Sequence, residues 1–180
     1  MGLDMYLTKK HYVKNWGHNP NKHKIIVKLN GEEREDINPE KISYIVEDVA
    51  YWWKFNALHT WFVDECAEGE DDCKEIYVSS DKLFELLNIL KEVKKIINKA
   101  KKKKVSIKTG WNNDDNAYEE IEMYDCDDEL EQIFPTRGGF FFGSTEYDEQ
   151  YKQNVEKTIE MLENELIYEG SGEYYYKSSW

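Results

Sequence analysis

Two hydrophobic periods run along this chain of 180 residues, and the points where one gives way to the other mark its elements. Gly2–Leu7 and a second extended stretch around His11–Trp16 alternate apolar and polar residues as strands do. GHNPNKH, residues 17–23, is a loop by its Gly, Pro and Asn content. Lys24–Leu29 alternates again and meets Asn30-Gly31, a dipeptide suited to positive φ at both centres of a tight hairpin turn; Glu32–Glu35 is the charged returning edge. Residues 41–66 fit both periods. The pattern is read as a strand to about Glu47, then a helix capped by Asp48 and running to Cys66, with apolar residues at 49, 52, 53, 55, 58, 61 and 62. That helix is expected to be central and buried on more than one side.

Ala67–Cys73 reads as an acidic loop around Gly69, followed by a short strand, Glu75–Val78. Ser79 or Ser80 caps the next helix, whose core face is Leu83, Leu87, Leu90, Val93 and Ile97. After a lysine loop at Lys101–Lys104, Val105–Lys108 and Tyr118–Tyr124 are strands separated by the turn-rich GWNNDDN. A polar loop through Cys126 and Asp127 and a short segment lead to Phe134; Phe140–Phe142 reads as a very apolar strand. Gly143-Ser144-Thr145 then opens the last helix, with Tyr147, Tyr151, Val155, Ile159, Leu162 and Leu166 on its core face and Gly170 near its end. The tail EYYYKSSW adds a final strand. With no repeat and no low-complexity linker, residues 1–180 are expected to form one α+β domain, with about three helices against a mixed or mainly antiparallel sheet.

Charge narrows the partners. The net charge is −13, whereas long nucleic acids are held by many Lys and Arg contacts, so that class is excluded. The charge is lopsided: residues 82–108 carry ten Lys against Glu85 and Glu92, while 109–180 carry nineteen acids against four bases. A solvated helix face explains the basic stretch; a self-complementary contact in a homo-oligomer is the alternative. Only two Arg occur, Arg34 and Arg137, which singles out Arg137 for anion recognition. No apolar run is long enough to span a membrane, and MGLDMYLTKK lacks the order of a signal peptide, so the expected location is cytoplasmic. Tyr6 stands where an N-myristoylation motif needs Ser or Thr. Aromatic residues make up 14% of the chain, enough for a core, an interface and a ring-binding pocket.

The strongest local candidate for chemistry is FFFGSTEYDEQY. Gly143, Ser144 and Thr145 before a helix would offer free N–H groups and a positive dipole end to phosphate or carboxylate. Arg137 and Gly138-Gly139 lie just before the same strand, although a three-residue strand of about 10 Å separates them from Gly143. The plainer account is that Thr145 and Asp148 cap the helix and the glycines turn the chain. The Gly-Lys-Ser/Thr ending of a phosphate-binding Walker loop is absent. Trp16 and Trp111, each in or beside a Gly- and Asn-rich loop, are the candidate ring-stacking residues. His59 on the central helix is read as a hydrogen-bonded core residue, with a base or ligand role as the alternative. Cys66, Cys73 and Cys126 are odd in number and lack CxxC spacing, His spacing shows no HxH or HExxH, and the acidic clusters do not follow the EF-hand pattern. Reduced thiols, no metal and no cofactor are expected. No nucleophile–base pair stands out, so the balance leans away from an enzyme, and no catalytic residue is assigned.

At the level of the whole chain, the opening MGLDMYL, the central YWWKFNALHTWFV, the segment FFFGSTEYDEQY and the terminal KSSW resemble a family of small, largely uncharacterised bacteriophage and prophage proteins. In that family the central motif more often reads Trp-Arg-Lys-Ala-Asn than Trp52-Trp53-Lys54-Phe55-Asn56. The resemblance implies a phage-related accessory role in the host cytoplasm and transfers no activity. Two functions are therefore carried forward: capture of a small anionic or nucleotide-like ligand to counter host defence signalling, and inhibition of a host protein through an aromatic and acidic surface.

Overall fold

The computed structural model describes residues 2–18, 22–112, 115–168 and 170–180. The first amino-terminal stretch runs on into one strand, β1 (Asp4–Tyr12), which takes in only His11 and Tyr12 of the second, Val13–Trp16 being irregular; Met5, Leu7 and Lys9 point inward while Tyr6 and Tyr12 are exposed. A small hairpin, β2 (Lys28–Leu29) and β3 (Glu32–Glu33), follows; Asn30 and Gly31 both adopt positive φ, as the dipeptide predicts. Asn19, Pro20 and Asn21 of the amino-terminal loop lie outside the described residues.

The principal correction concerns residues 44–55. β4 (Tyr44–Trp53) is a strand throughout, antiparallel to β1, so Asp48 caps no helix. The registers Thr8↔Asp48 and Leu7↔Ala50 leave Val49 as a bulge. This extra residue shifts the alternation by one and makes a strand read as a helix face. β-branched and aromatic side chains favour the extended form, and the long pairing with β1 decides it. The helix α1 (Asn56–Cys66) starts only after Lys54, which turns the chain with φ +55°.

β5 (Ile76–Val78) and the Ser79-capped α2 (Ser80–Lys99) match their expected places, and all five expected core residues of α2 are buried. Lys102–Lys104, expected in a loop, begin a ribbon of β6 (Lys102–Asn112) and β7 (Asp115–Tyr124), each longer than its alternating core suggested because cross-strand pairing extends it. Asn113 and Asp114 of the expected turn lie outside the described residues. The segment before Phe134 is a helix, α3 (Asp127–Ile133), with three acids in its first turn, raising the count from three α-helices to four.

Phe140–Phe142 is not a strand. The backbone turns between Gly139 and Gly143, the Phe142 N–H donates to the Gly139 carbonyl at 3.1 Å, and the Phe140 ring is 96% exposed. The final helix, α4 (Glu149–Leu166), begins at Glu149, capped by the Asp148 carboxylate on the Tyr151 N–H at 2.9 Å, and Gly143–Thr145 precedes it as loop. The tail forms β8 (Glu173–Ser179) and lies inside the sheet, whose order is β4-β1-β8-β5 with every pairing antiparallel.

One face of this sheet packs against the helices. Leu3, Met5, Leu7, Trp52, Tyr174, Tyr176 and Val78 meet Leu58, Phe62, Leu86, Leu90, Val155 and Leu162 in one continuous core. Phe62 stacks on Tyr176 at 4.1 Å, and the buried Trp52 indole donates to Thr158 Oγ1 at 2.9 Å. The lopsided charge is absorbed within the chain: Lys91 pairs with Glu163 and Lys94 with Glu156 along the α2–α4 seam, while Lys102 reaches Glu149 and Lys103 reaches Asp125 and Asp127. The fold is α+β, as expected. No described helix is long and apolar enough to cross a membrane.

Candidate functional site

Residues 136–145 form a loop whose neck is closed by Thr136 Oγ1 donating to the Thr145 carbonyl at 2.8 Å, an Ω-shaped segment of the kind that often carries function. It holds six of the eight residues singled out from sequence: Arg137, Gly138, Gly139, Gly143, Ser144 and Thr145. Asn56, the first residue of α1, pins it. Its Nδ2 donates to the carbonyls of Phe142 (3.1 Å) and Ser144 (2.7 Å), and its Oδ1 accepts the Arg137 N–H at 3.1 Å. With the Leu3 N–H on the Phe141 carbonyl at 3.0 Å, this buried side-chain amide satisfies backbone groups of a segment that is not a strand.

The loop separates two cavities. On one side a cleft of about 380 Å³ is lined by Trp53, Lys54, Phe55, Asn56, Gly143, Ser144 and Tyr151, with Thr136, Glu146, Asp148, Gln150 and Asn154 completing its walls. Lys54 holds a left-handed backbone that non-glycine residues avoid; its N–H donates to the Leu3 carbonyl at 2.8 Å, and its ammonium lies over the Trp53 ring at 4.4 Å. No described carboxylate lies within ion-pair distance of it. Gly143 packs on this lysine: its φ is +86°, and a Cβ there would stand 3.0 Å from Lys54 Cβ. The helix start expected to offer free N–H groups at Gly143–Thr145 lies further along, where Asp148 already occupies it; Ser144 Oγ accepts the Glu146 N–H instead.

On the other side a cavity of about 450 Å³ is lined by Asp71, Arg137, Gly138, Gly139, Phe140, Phe141, Phe142 and Trp180 together with Gly69. Arg137 and Gly143 therefore face different cavities, and no joint anion site forms between them. Behind Asp71 lies His59, 1% exposed, with Nε2 3.0 Å from Asp71 Oδ2 and Nδ1 2.8 Å from the Tyr176 hydroxyl. The neutral tautomer that satisfies both contacts donates from Nε2 to the carboxylate and accepts the phenol proton at Nδ1. Burial, and then the Asp71 charge, push the Tyr176 phenol well above its ordinary range, so it remains the donor. The core role read for His59 is what the structure shows, with a carboxylate at its solvent end that the sequence pattern did not reveal.

Thr145 lines a third, more polar hollow with Lys103 and Tyr147. Trp16 lies apart from the Ω-loop, its indole donating to the Tyr12 hydroxyl at 2.6 Å and its ring under Lys14. Trp111 belongs to β6, and its side chain lies outside the described residues. Cys66, Cys73 and Cys126 are free thiols, and among the described residues no three His, Cys, Asp or Glu side chains gather as metal ligands.

Comparison with protein-family models, curated proteins and solved structures finds no match. Function is therefore read from the chemistry of the site alone. The residues that sequence reasoning missed are Trp53, Lys54 and Asn56, hidden in the stretch read as a helix. The one available signal was the abrupt change of period at Phe55, where alternation ends and the run NALHTWFV begins.

Proposed function

We propose that this chain is a binding protein, a phage-related accessory factor that captures a small nucleotide-like ligand in the cleft beside the Ω-loop and so counters a host defence signal. The observation that carries this reading is Lys54: an ammonium with no carboxylate partner among the described residues, laid on the Trp53 ring by a strained backbone, at a cleft of ligand size. Backbone strain of this kind persists where the surroundings enforce it, and here it aims a cation and a ring at the same space. A flat base against Trp53 with a phosphate on Lys54 uses both. Glu146 and Asp148, which line the same cleft, disfavour a polyphosphate, so the class narrows to ligands of low negative charge, such as mono- or cyclic nucleotides. Relative to the sequence reading, the cation has moved from Arg137 to Lys54.

The test is a thermal-shift panel of mono-, di- and cyclic nucleotides. Ligand at 100 times its Kd should add about 2.7 kcal/mol of stability, and Lys54→Met should weaken any hit by about tenfold or more. A hit unaffected by Lys54→Met, or no hit at all, rejects the reading.

A flat panel would favour inhibition of a host protein. The observation behind that second reading is the outer sheet face, which among the described residues no element covers and which displays Tyr6, Tyr12, Tyr44, Tyr51, Trp53 and Tyr77. β4 is also a ten-residue edge strand free to pair.

A further inference from the structure

We propose that the second cavity, between the acidic loop at Asp71 and the phenylalanine turn, is a binding site for an organic cation, an alkylammonium or guanidinium group. It is separate from the Lys54 cleft and independent of what that cleft binds.

Four aromatic side chains line it. Phe140 meets Phe141 edge to face at 4.9 Å and 87°, and Phe142 meets Trp180 at 5.9 Å and 73°. Rings set at right angles present faces on more than one side of a space, the arrangement that attracts an organic cation through ring quadrupoles. Asp71 adds a full negative charge, one-quarter exposed. Its orientation is imposed from inside: Oδ2 is held by the His59 Nε2–H at 3.0 Å, and the Tyr176 hydroxyl fixes the other ring nitrogen at 2.8 Å. Among the described residues Oδ1 receives only the Trp180 indole N–H, at a long 3.4 Å, and retains capacity for a further donor.

The Phe140 ring is 96% exposed at the rim, a large apolar group that the fold leaves without a neighbour to bury it. Gly138 and Gly139 precede it. A Cβ at Gly139 would stand 2.8 Å from the Phe142 ring, so the aromatic wall can close this tightly only with glycine there. Arg137 lines the same cavity and would oppose a cation, but its guanidinium lies 3.9 Å from Asp64 and is more than half exposed, leaving it free to turn outward. With Asp64 offsetting Arg137, the charge facing the cavity is that of Asp71. The net charge of −13 draws cations toward the surface as a whole.

The recognised group could belong to a free amine or to a Lys or Arg side chain of a polypeptide. Choline, spermidine and the peptide Gly-Lys-Gly serve as probes, with binding read from the Trp180 indole N–H resonance, assigned by its loss in Trp180→Phe. A saturable shift is expected at Kd of about 1 mM or tighter. Spermidine binding more tightly than the peptide assigns a free amine, and the reverse order assigns a side chain. Asp71→Asn should weaken binding about tenfold, as should Phe140→Ala, which removes an exposed ring and leaves the core untouched if the first variant unfolds. Arg137→Ala should tighten cation binding severalfold, and Lys54→Met should leave it unchanged. The proposal is overturned if no probe gives a saturable shift, if Phe140→Ala binds as the parent does, or if Arg137→Ala weakens binding, which would mark an anion site.

Discussion

The Asn56 side chain donates to the Ser144 carbonyl at 2.7 Å, tying the first turn of α1 to a loop 88 residues further along the chain. The same amide accepts the Arg137 N–H, so one buried residue sets the shape of the Ω-loop and of both cavities beside it. Replacing it leaves two carbonyls and an N–H without their partner. Asn56→Ala should cost about 1–3 kcal/mol in denaturant unfolding. It should also raise amide hydrogen exchange across residues 137–144 more than in α2. Exchange in the loop equal to that of the parent would mean that Asn56 does not hold it.

The left-handed backbone at Lys54 predicts opposite effects on stability and binding. Lys54→Gly removes a side chain from an unfavourable φ and should leave stability unchanged or raise it by up to about 1 kcal/mol, while abolishing ligand capture in the cleft. Gly143→Ala does the reverse locally, forcing a Cβ to 3.0 Å from Lys54 at φ +86°, and should cost about 1–2 kcal/mol. Urea midpoints compare the two variants directly; a less stable Lys54→Gly would show that its side-chain packing outweighs the strain.

Lys9 is buried on the inner face of β1 and meets Glu165 at 2.7 Å, with the Tyr174 hydroxyl donating to the same carboxylate oxygen. Burial lowers the Lys9 pKa, but the hydrogen bonds to Glu165 and Tyr174 outweigh it, so the net shift is upward. A raised lysine pKa supports the fold below the unfolded value near 10.5, and that support is lost as pH rises through the folded value. Glu165→Ala strands the buried ammonium and should cost about 3–5 kcal/mol, whereas Lys9→Met with Glu165→Leu should be close to neutral. A mild loss in the single variant would place water beside Lys9.

Burial pushes the thiols of Cys66 and Cys126 up to about 11, from an ordinary value of 9.0. Both should resist iodoacetamide at neutral pH in the folded protein, and peptide mapping should find Cys73 labelled first. Because the unfolded chain releases these protons at lower pH than the folded one, stability should fall as pH rises from about 9 to about 11. Rapid labelling of Cys126 at neutral pH would contradict its burial.

The sequence by itself determined the elements whose side chains follow one period from end to end. α2 is legible because five apolar residues at steps of three and four all reach the core, and the hairpin at Asn30-Gly31 because both residues accept positive φ. The residues of the Ω-loop were legible as a cluster, since Gly, Ser and Thr around a solitary Arg are conspicuous. Tertiary structure decided the rest. Val49 as a bulge depends on pairing with β1, a contact between distant segments that no local pattern encodes. The turn at Phe140–Phe142 is held by segments far away in sequence, Asn56 on the Phe142 carbonyl and the Leu3 N–H on that of Phe141, and the Lys54 cleft exists because Gly143 packs against it. Likewise His59, Asp71 and Tyr176 meet only when β8 enters the sheet beside β1 and β5. Periodicity reports which face of an element is buried; it carries no information about which distant polar groups will satisfy one another once that face is covered.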